Sequence, residues 1–346
     1  MLQPRSAALA GLLTLILLAS LVAATALGAA VIPLGDTLRY LWKAISGGVI
    51  SQEELTSYTV VADLRAPRVV LAALVGAGLS LLGIAGQAMV RNPLADPFIL
   101  GVSSGASVGA AAVVALGIFG ALGIYALSFA AFLGALAASA LVYVLAGGRH
   151  GMAPNRLILT GVVLSFGFQA LTSTIVFFEP RGDAARAVMF WLLGSLGGAN
   201  WAQLPVVVAA VVLVFLVLLR AAPALDVLSS GDSAATSMGV DPGRMRRLLF
   251  LLTALGTGAL VAVSGTVGFI GLVVPHVMRL LLGPAHRRLI LLAPLVGAIL
   301  LVWVDVLSRI ATPPRELPLG VMTALVGVPT FLALMARRNY VFGGQK

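Results

Sequence analysis

The chain has 346 residues, of which 60% are hydrophobic and 10% are charged, and its formal net charge is +10. Soluble globular proteins carry about 25% charged residues, so this composition excludes a soluble enzyme or binding domain and predicts an all-α, polytopic membrane protein. No basic run is interleaved with aromatic residues, which argues against nucleic acid as a partner, and in a membrane protein the basic excess mainly sets orientation.

The first five predicted membrane spans occupy the N-terminal half of the chain. The run Ser6–Gly35 is uncharged and about twice as long as a signal-peptide core, so we expect a retained first helix there. A span needs about 20 apolar residues, and the stretches 69–90 and 157–178 each supply one. The uncharged stretch 97–148 is long enough for two helices, with a break near 117–123.

Two segments indicate helices that lie at the membrane surface. Segment 36–65 is polar and carries Tyr40 and Trp42 beside basic residues, which fits an amphipathic interfacial helix on the periplasmic side. A plain loop is the alternative. The stretch 187–219 is longer than one span, so it predicts a short interfacial or re-entrant helix and then a sixth span from about Trp201.

The last four spans follow from the distribution of charge. Basic residues within 244–247 and 286–288 both belong in the cytoplasm by the positive-inside rule. The chain between them must therefore cross the membrane twice, with a turn at 264–268, and spans nine and ten follow at 289–308 and 317–336. The expected architecture is a single domain, residues 1–346, with about ten membrane helices and both termini cytoplasmic.

The cytoplasmic segment 222–247 contains a predicted short helix, Asp232–Met238. Residues that favour helix N-caps precede or begin it, and Gly239 favours a helix C-terminus. A capped helix between two membrane spans indicates a surface that another protein grips, although a simple loop remains an alternative.

A Gly-x-Ser-x-Gly pattern surrounds Ser103. In a soluble hydrolase it marks a nucleophile on a strand-to-helix turn, and His276 is the candidate base within a span. The flanks here are helical and apolar, and Gly101, Gly105 and Gly109 recur at four-residue spacing, which is typical of close helix packing in membranes. We therefore interpret the pattern as a packing face and retain an intramembrane serine protease as a remote alternative.

The turn 91–97 contains two prolines, each of which disfavours helical conformation in the residue before it. The chain must leave span two and enter span three through a short, stiff cytoplasmic turn. Its exposed Asn92 and Leu94 fit either an ordinary turn or the lip of a gate.

Few ionisable groups lie within the predicted spans. Asp305 is the main one, and Arg309 lies one helical turn later, so an intramembrane Asp305–Arg309 pair is predicted, with anchoring and functional roles both open. The polar residues Gln87, Gln169 and 172–174 could line a path or bond across helices.

The sequence predicts no metal or cofactor site in this chain. It has no cysteine, and its three histidines, His150, His276 and His286, are scattered. The phosphate-binding Gly-x-x-x-x-Gly-Lys-[Ser/Thr] motif does not occur. If the protein moves a solute uphill, the energy must come from a partner chain or an ion gradient, and the scarcity of intramembrane carboxylates favours the partner.

Taken in order, eight segments resemble the permease subunits of ABC importers for iron-siderophores, haem and cobalamin, and they cover nearly the whole chain. The segments are Leu64–Arg68, Ala77–Leu79 with Gly86–Gln87, Arg91–Pro97, Leu100–Ala106, Trp191–Leu196, Ala234–Val240, Gly268–Arg279 and Glu316–Gly320.

The resemblance implies a homodimer of ten-helix subunits in the bacterial inner membrane, with a central path at the two-fold axis. Two cytoplasmic ATPase subunits would hold ATP and Mg, and a periplasmic or lipoprotein binding protein would deliver the cargo. It implies binding-protein docking at Arg65, Arg68 and Arg309.

The resemblance also implies two gates and a coupling helix. Asn92 and Leu94 would form one cytoplasmic gate; Pro154 and Asn155 would form another, although they depart from the small hydroxyl residues that are typical there. The helix that docks in the ATPase comprises Asp232, Ala234, Ala235, Thr236, Met238, Gly239 and Val240.

The expected cargo is a ferric siderophore, then haem, then cobalamin, with selection resting mainly on the binding protein. An ion-coupled secondary transporter is the principal alternative.

Overall fold

The structure is a computed structural model that describes residues 4–28, 30–147, 153–179 and 183–336, and within these ranges it is helical with no strand. His150 and the basic residues at 337 and 338, which entered the sequence predictions, lie outside the described residues.

Fourteen α-helices follow one another in the described ranges, linked by short 3₁₀ and π segments. The helices of the first half are α1 Pro4–Ala26, α2 Leu34–Ser46, α3 Leu55–Thr59, α4 Ala66–Val90, α5 Val102–Leu116, α6 Ala126–Leu145 and α7 Pro154–Phe177. Those of the second half are α8 Asp183–Leu192, α9 Leu204–Ser229, α10 Asp232–Ser237, α11 Pro242–Ser264, α12 Ile270–Leu282, α13 His286–Ile310 and α14 Leu319–Met335.

Ten of these helices are apolar enough for a membrane, but they are not equally long. Among the described residues, seven helices are long and apolar enough to cross a bilayer, and α5, α12 and α14 are shorter. Helix α12 has 13 residues, about 20 Å at 1.5 Å per residue, against a hydrocarbon core of about 30 Å. The ten helices coincide with the ten predicted spans; the count of actual crossings stays a prediction.

Helix α4 forms the centre of the bundle because its small residues allow other helices close. A Cβ atom on Gly76 would lie 2.2 Å from the carbonyl oxygen of Gly297 in α13, and one on Gly83 would lie 1.9 Å from that of Gly271 in α12. Close backbone approach of this kind drives packing where no hydrophobic effect separates helix from lipid.

The stretch 6–35, predicted to hold one span, contains α1 and only the first two residues of α2. Helix α1 ends at Ala26, and α2 begins at Leu34 after Pro33. Helix α2 is strongly amphipathic and places Tyr40 inward and Trp42 outward, as a helix at the interface does. In the sixth span, α9 runs on to Ser229, well beyond the predicted end.

The two ends of the bundle can be told apart by their contacts. At the α2 end, the indole nitrogen of Trp201 donates to the carbonyl oxygen of Ala62, 2.9 Å away. At the α10 end, Nε of Arg246 donates to the carbonyl oxygen of Met89 at 3.3 Å. Helices α4 and α9 run from the first end to the second.

Candidate translocation surface and its two polar ends

A buried charge cluster at the α2 end joins α4, α13 and the segment before α14. Arg68 donates through Nε to Asp305 Oδ1 and through its two terminal nitrogens to Glu316, each at 2.8 Å. Asp305, which is fully buried, also pairs with Arg309 Nε at 3.1 Å. Two guanidinium groups thus compensate one buried carboxylate, as buried charge requires.

Two arginines at this end, Arg309 and Arg65, bind backbone carbonyl groups at the C-terminus of α1 and just after it. Arg309 donates to the carbonyl oxygens of Ala24 and Leu27, at 3.0 and 2.8 Å. Arg65 donates to those of Thr25, Ala26 and Ala30. The last carbonyls of a helix have no partner within it, and here the two arginines supply one.

These contacts bear on the three arginines assigned to docking. Arg65, Arg68 and Arg309 are 8%, 8% and 6% exposed, and each binds groups of its own chain. Their contact with a binding protein stays a prediction, and it would require these internal bonds to be exchanged. The exposed carboxylate at this place belongs to Glu316, whose side chain is 44% exposed.

A cavity of about 410 Å³ lies between α5 and α7 and has a polar, uncharged lining. The hydroxyls of Ser107, Ser165 and Thr172 each donate to a carbonyl of their own helix, at 2.8, 2.7 and 3.0 Å. Their oxygen lone pairs therefore remain available to the cavity as acceptors. The polar lining consists of Ser103, Ser104, Ser107, Ser165, Gln169, Thr172, Ser173 and Thr266.

A second cavity, about 630 Å³ and mainly apolar, adjoins the first and shares Leu192 and Thr266 with it. It lies against α14 and Phe269. Backbone hydrogen bonds close its α2 side: the amide of Ser195 donates to Ser264, and that of Gly320 donates to Leu193, at 2.9 and 2.8 Å. Irregular backbone at membrane depth is tolerated when its polar groups are satisfied in this way.

Ser103 lies in the hydroxyl-lined cavity, and His276 is not among the residues that line it. The neighbouring glycines have two different roles. Gly105 and Gly109 pack closely against α6. A Cβ atom on Gly105 would lie 2.3 Å from the Cβ of Ala138, and one on Gly109 would lie 2.0 Å from the carbonyl oxygen of Ala130. Gly101 instead has a φ of +72° and turns the chain from the 3₁₀ segment into α5.

The turn 91–97 lies at the α10 end, and its own polar groups stiffen it. The Asn92 side chain accepts from the amide of Leu94 at 2.9 Å, and Asp96 accepts from the amide of Phe98 at 2.9 Å. Asn92 is exposed and Leu94 is half-buried. In the second predicted gate, Pro154 is the first residue of α7 and Asn155 is exposed beside it.

Helix α10 projects at the same end and begins at Asp232 as predicted, but it is capped differently. Asp232 is its first helical residue, and Gly231 occupies the N-cap position without a side-chain cap. The Asp232 carboxylate instead binds both terminal nitrogens of Arg246, at 2.9 and 2.5 Å. The helix ends one residue early, at Ser237, and Gly239 turns the chain with a φ of +80°.

The exposed and buried faces of α10 are distinct. Ala235 is fully buried against the bundle, whereas Met238 is 67% exposed. Thr236 and Gly239 are also exposed, and Ala234 and Val240 are half-buried. The helix therefore presents a small protruding surface that the bundle itself does not cover.

Sequence reasoning missed three participants in these polar ends: Glu316, Arg246 and Arg279. Arg279 in α12 donates to the Gln87 side chain of α4 at 2.9 Å, although 192 residues separate the two. Glu316 and Arg246 were visible only as members of a motif and of a basic cluster. A charged residue close to a predicted span, with no oppositely charged residue near it in sequence, is the feature that could have indicated them.

The fold and these features define a class of protein: a polytopic helical membrane subunit with a cavity between its spans and a short helix projecting at one end. The chain belongs to the FecCD transport family, whose sequence profile matches residues 14–337.

Relatives that are equally similar to this chain are named for different cargoes. The Fe(3+) dicitrate transport system permease protein FecD of Escherichia coli (strain K12) is 41% identical over 280 residues, which are 81% of this chain and 86% of that protein. The cobalamin import system permease protein BtuC of Halobacterium salinarum is 41% identical over 286 residues, 82% of this chain and 75% of that protein.

A solved structure has the same fold. An ABC transporter of metal-chelate type in an inward-facing conformation matches with a TM-score of 0.81 and 30% identity, covering 94% of this chain and 98% of that chain. The protein is therefore a multi-pass permease subunit of an ABC importer for metal chelates of the iron, haem and cobalamin group, and it is not itself an enzyme.

Proposed function

We propose that a homodimer of this chain imports a ferric siderophore across the bacterial inner membrane, driven by two cytoplasmic ATPase subunits and supplied by a binding protein. Haem and then cobalamin are the next candidate cargoes. The observation that carries the proposal is the hydroxyl-lined cavity between α5 and α7, because its chemistry suits passage rather than capture.

The cavity wall contains neither a carboxylate nor a basic side chain. It therefore offers hydrogen-bond acceptors of modest strength and no ligand that competes for the metal of a chelate. An oxygen-rich ferric chelate that carries amide or hydroxyl donors can contact such a wall repeatedly without being held. The adjoining apolar cavity fits the carbon skeleton of the same kind of cargo.

The two polar ends support the proposed orientation. We place the α10 end in the cytoplasm, where α10 serves as the coupling helix and the turn 91–97 serves as the gate. The α2 end then faces the binding protein, with Glu316 and the arginines beneath it as the docking region. Charged docking surfaces raise the encounter rate and fix the register more than they add affinity.

Two threonines of α7 allow a matched test of the path. Thr172 lines the cavity and Thr174 does not, and both hydroxyls bond to the carbonyl four residues earlier. In proteoliposomes containing the permease, its ATPase and its binding protein, Thr172→Val should change the rate of ferric-siderophore uptake several-fold, and Thr174→Val should not. Equal rates for both variants would remove this cavity from the path.

The same proteoliposomes test the function itself. Uptake of a radiolabelled ferric siderophore should require ATP inside, the ATPase chains and the binding protein, and should exceed uptake of haem and cobalamin. Uptake driven by an ion gradient without the ATPase would instead establish a secondary transporter. A permease that is active as a monomer would contradict the homodimer.

A further inference from the structure

A separate cavity of about 190 Å³ lies at the α10 end, between the end of α4, the last turn of α12 and the start of α13. It is large enough for one phosphate group with water, since a water molecule occupies about 30 Å³ of liquid volume. The polar part of its lining consists of Gln87, Arg91, Asn92, Ser229, Arg279 and His286.

Arg279 brings an uncompensated charge to this cavity. Its Nη1 donates to Oε1 of Gln87 at 2.9 Å, while Nε2 of Gln87 donates to the carbonyl oxygen of Leu272 at 3.2 Å, so the amide is oriented with its oxygen toward the arginine. No carboxylate of the described residues forms an ion pair with Arg279. An arginine on an apolar helix marks a functional site by default, with an anion as the expected partner.

Asp232 and Asp226, which lie next to residues of the cavity wall, are engaged elsewhere. Asp232 binds Arg246 with both oxygens, so Arg91, 3.5 Å from the same carboxylate, shares a charge that is already paired. Asp226 accepts from the backbone amide of His286 at 2.8 Å and lies 2.7 Å from the Nδ1 atom of its ring. The cavity is therefore left with an excess of positive charge.

We propose that this cavity binds the phosphate group of an anionic ligand, held by Arg91 and Arg279. A guanidinium matches phosphate geometry with paired N–H donors, and Ser229 and Asn92 add polar groups at the rim. A bound phosphate would join the turn 91–97 to α12 and so restrain that turn.

Two sources can supply the phosphate. Leu280 and Leu281, on the turn of α12 that follows Arg279, are 56% and 72% exposed, and the cavity thus lies beside a surface suited to acyl chains. Basic pockets between membrane helices at the cytoplasmic side bind phospholipid headgroups. A soluble phosphate is the second source, and it would enter from the water at the same end.

Arg279→Gln is the variant that tests the cavity, and Arg287→Gln is its matched control. Arg287 is exposed, lies at the same end and does not line the cavity. The permease is purified in a phosphate-free detergent and stripped of lipid. Its thermal unfolding midpoint is then followed against inorganic phosphate, with chloride at equal ionic strength as reference, and against phosphatidylglycerol, with a phosphate-free galactolipid as reference.

Either phosphate or phosphatidylglycerol should raise the midpoint of the unchanged protein and of Arg287→Gln. Arg279→Gln should need about tenfold more ligand for the same rise, which corresponds to one lost hydrogen bond to a charged group. Stabilisation by inorganic phosphate identifies the soluble source, and stabilisation by phosphatidylglycerol alone identifies the lipid. No stabilisation by either, or the same response in all three proteins, would overturn the proposal.

Should Arg279→Gln fail to fold, Ser229→Trp provides a second test. Ser229 is an exposed residue at the rim of the cavity, and tryptophan there would block the cavity without removing a charge. It should abolish the phosphate-dependent rise while the midpoint without ligand stays unchanged. A full phosphate response in this variant would likewise overturn the proposal.

Discussion

Arg246 of α11 binds Asp232, the first residue of α10, through both terminal nitrogens, at 2.9 and 2.5 Å. The same guanidinium donates through Nε to the carbonyl oxygen of Met89 near the end of α4. Arg91, which directly follows α4, lies 3.5 Å from the same carboxylate and immediately precedes Asn92. A displacement of α10 therefore acts directly on the turn proposed as the gate.

Breaking this ion pair should uncouple the transporter. Asp232→Asn and Arg246→Gln should each lower cargo transported per ATP hydrolysed several-fold, because α10 then moves without displacing the end of α4. The double variant should be no worse than either single one, since the two residues act as a unit. Uptake and hydrolysis measured on the same proteoliposomes give the ratio.

Asp241→Asn is the control for that experiment. Asp241 caps α11 by accepting from the amides of Gly243 and Arg244, and asparagine caps helices equally well. It removes the same charge from the same loop without touching the link to α4. A loss of coupling equal to that of Asp232→Asn would assign the effect to loop charge instead.

The same pair predicts how coupling depends on pH. The hydrogen bond from Arg246 holds the pKa of Asp232 below its usual value, against the opposing effect of burial. The stabilisation from the ionised Asp232 carboxylate is therefore complete above its unfolded-state pKa of about 4. It is lost only as the pH falls through the lower pKa of the folded state. Transport per ATP should be constant between about pH 8 and pH 5. A decline within that window would show that another group controls coupling.

Removing the buried carboxylate at the α2 end should destabilise the protein strongly. Asp305→Asn leaves buried Arg309 without its carboxylate and Arg68 with Glu316 alone, at a cost of about 3–5 kcal/mol in the free energy of unfolding. Glu316→Gln removes a half-exposed partner of Arg68 and should cost less than about 1 kcal/mol. Denaturant unfolding in micelles compares the two, and equal losses would refute the role given to Asp305.

The burial of these charged groups also limits which variants can test docking of the binding protein. Glutamate at position 65, 68 or 309 would disrupt buried contacts, so a loss of binding-protein affinity in such a variant would not distinguish docking from unfolding. Glu316→Gln should leave the fold intact while releasing the terminal nitrogens of Arg68. Altered, salt-dependent docking in this variant would support exchange of Glu316 for a carboxylate of the binding protein.

The interface between α5 and α6 should tolerate no added methyl group. Gly109→Ala would place Cβ 2.0 Å from the carbonyl oxygen of Ala130 and should cost about 1–3 kcal/mol through overpacking. Gly167→Ala in α7 meets nothing within 4 Å and should be neutral or stabilising by up to about 1 kcal/mol. Thermal unfolding of both variants tests the contrast, and a neutral Gly109→Ala would contradict it.

Much of the fold was predictable because each membrane helix corresponds to a run of apolar residues in the sequence. The break between α5 and α6, the pair of helices α11 and α12 joined by a turn, and the helix α10 all followed from charges, glycines and prolines near their ends. The division between α1 and α2 also followed, because the uncharged run ends where the polar segment from residue 36 begins. The exact ends did not follow: α1 stops at Ala26 and α2 begins at Leu34, directly after Pro33.

The polar ends were predictable where partners are neighbours in sequence and not otherwise. Asp305 and Arg309 lie one turn apart, so their pairing followed from helix geometry. Arg68 meets Asp305 across 237 residues, and no single-sequence pattern links them. The resemblance assigned Arg65, Arg68 and Arg309 to an external partner; the structure shows contacts of these arginines within their own chain, and docking stays a prediction.

The arginine contacts at the end of α1 have a consequence for the order of assembly. Among the described helices α1 is made before the others, yet the groups that bind its last carbonyls belong to Arg65 and to Arg309, which lies 285 residues after Ala24. Because α1 packs mostly against α13, we expect its final position to be fixed only after α13 has been made, whereas the bonds from Arg65 can form earlier. A chain truncated before Arg309 should therefore hold α1 less firmly, which protease accessibility of the truncated protein in membranes would measure.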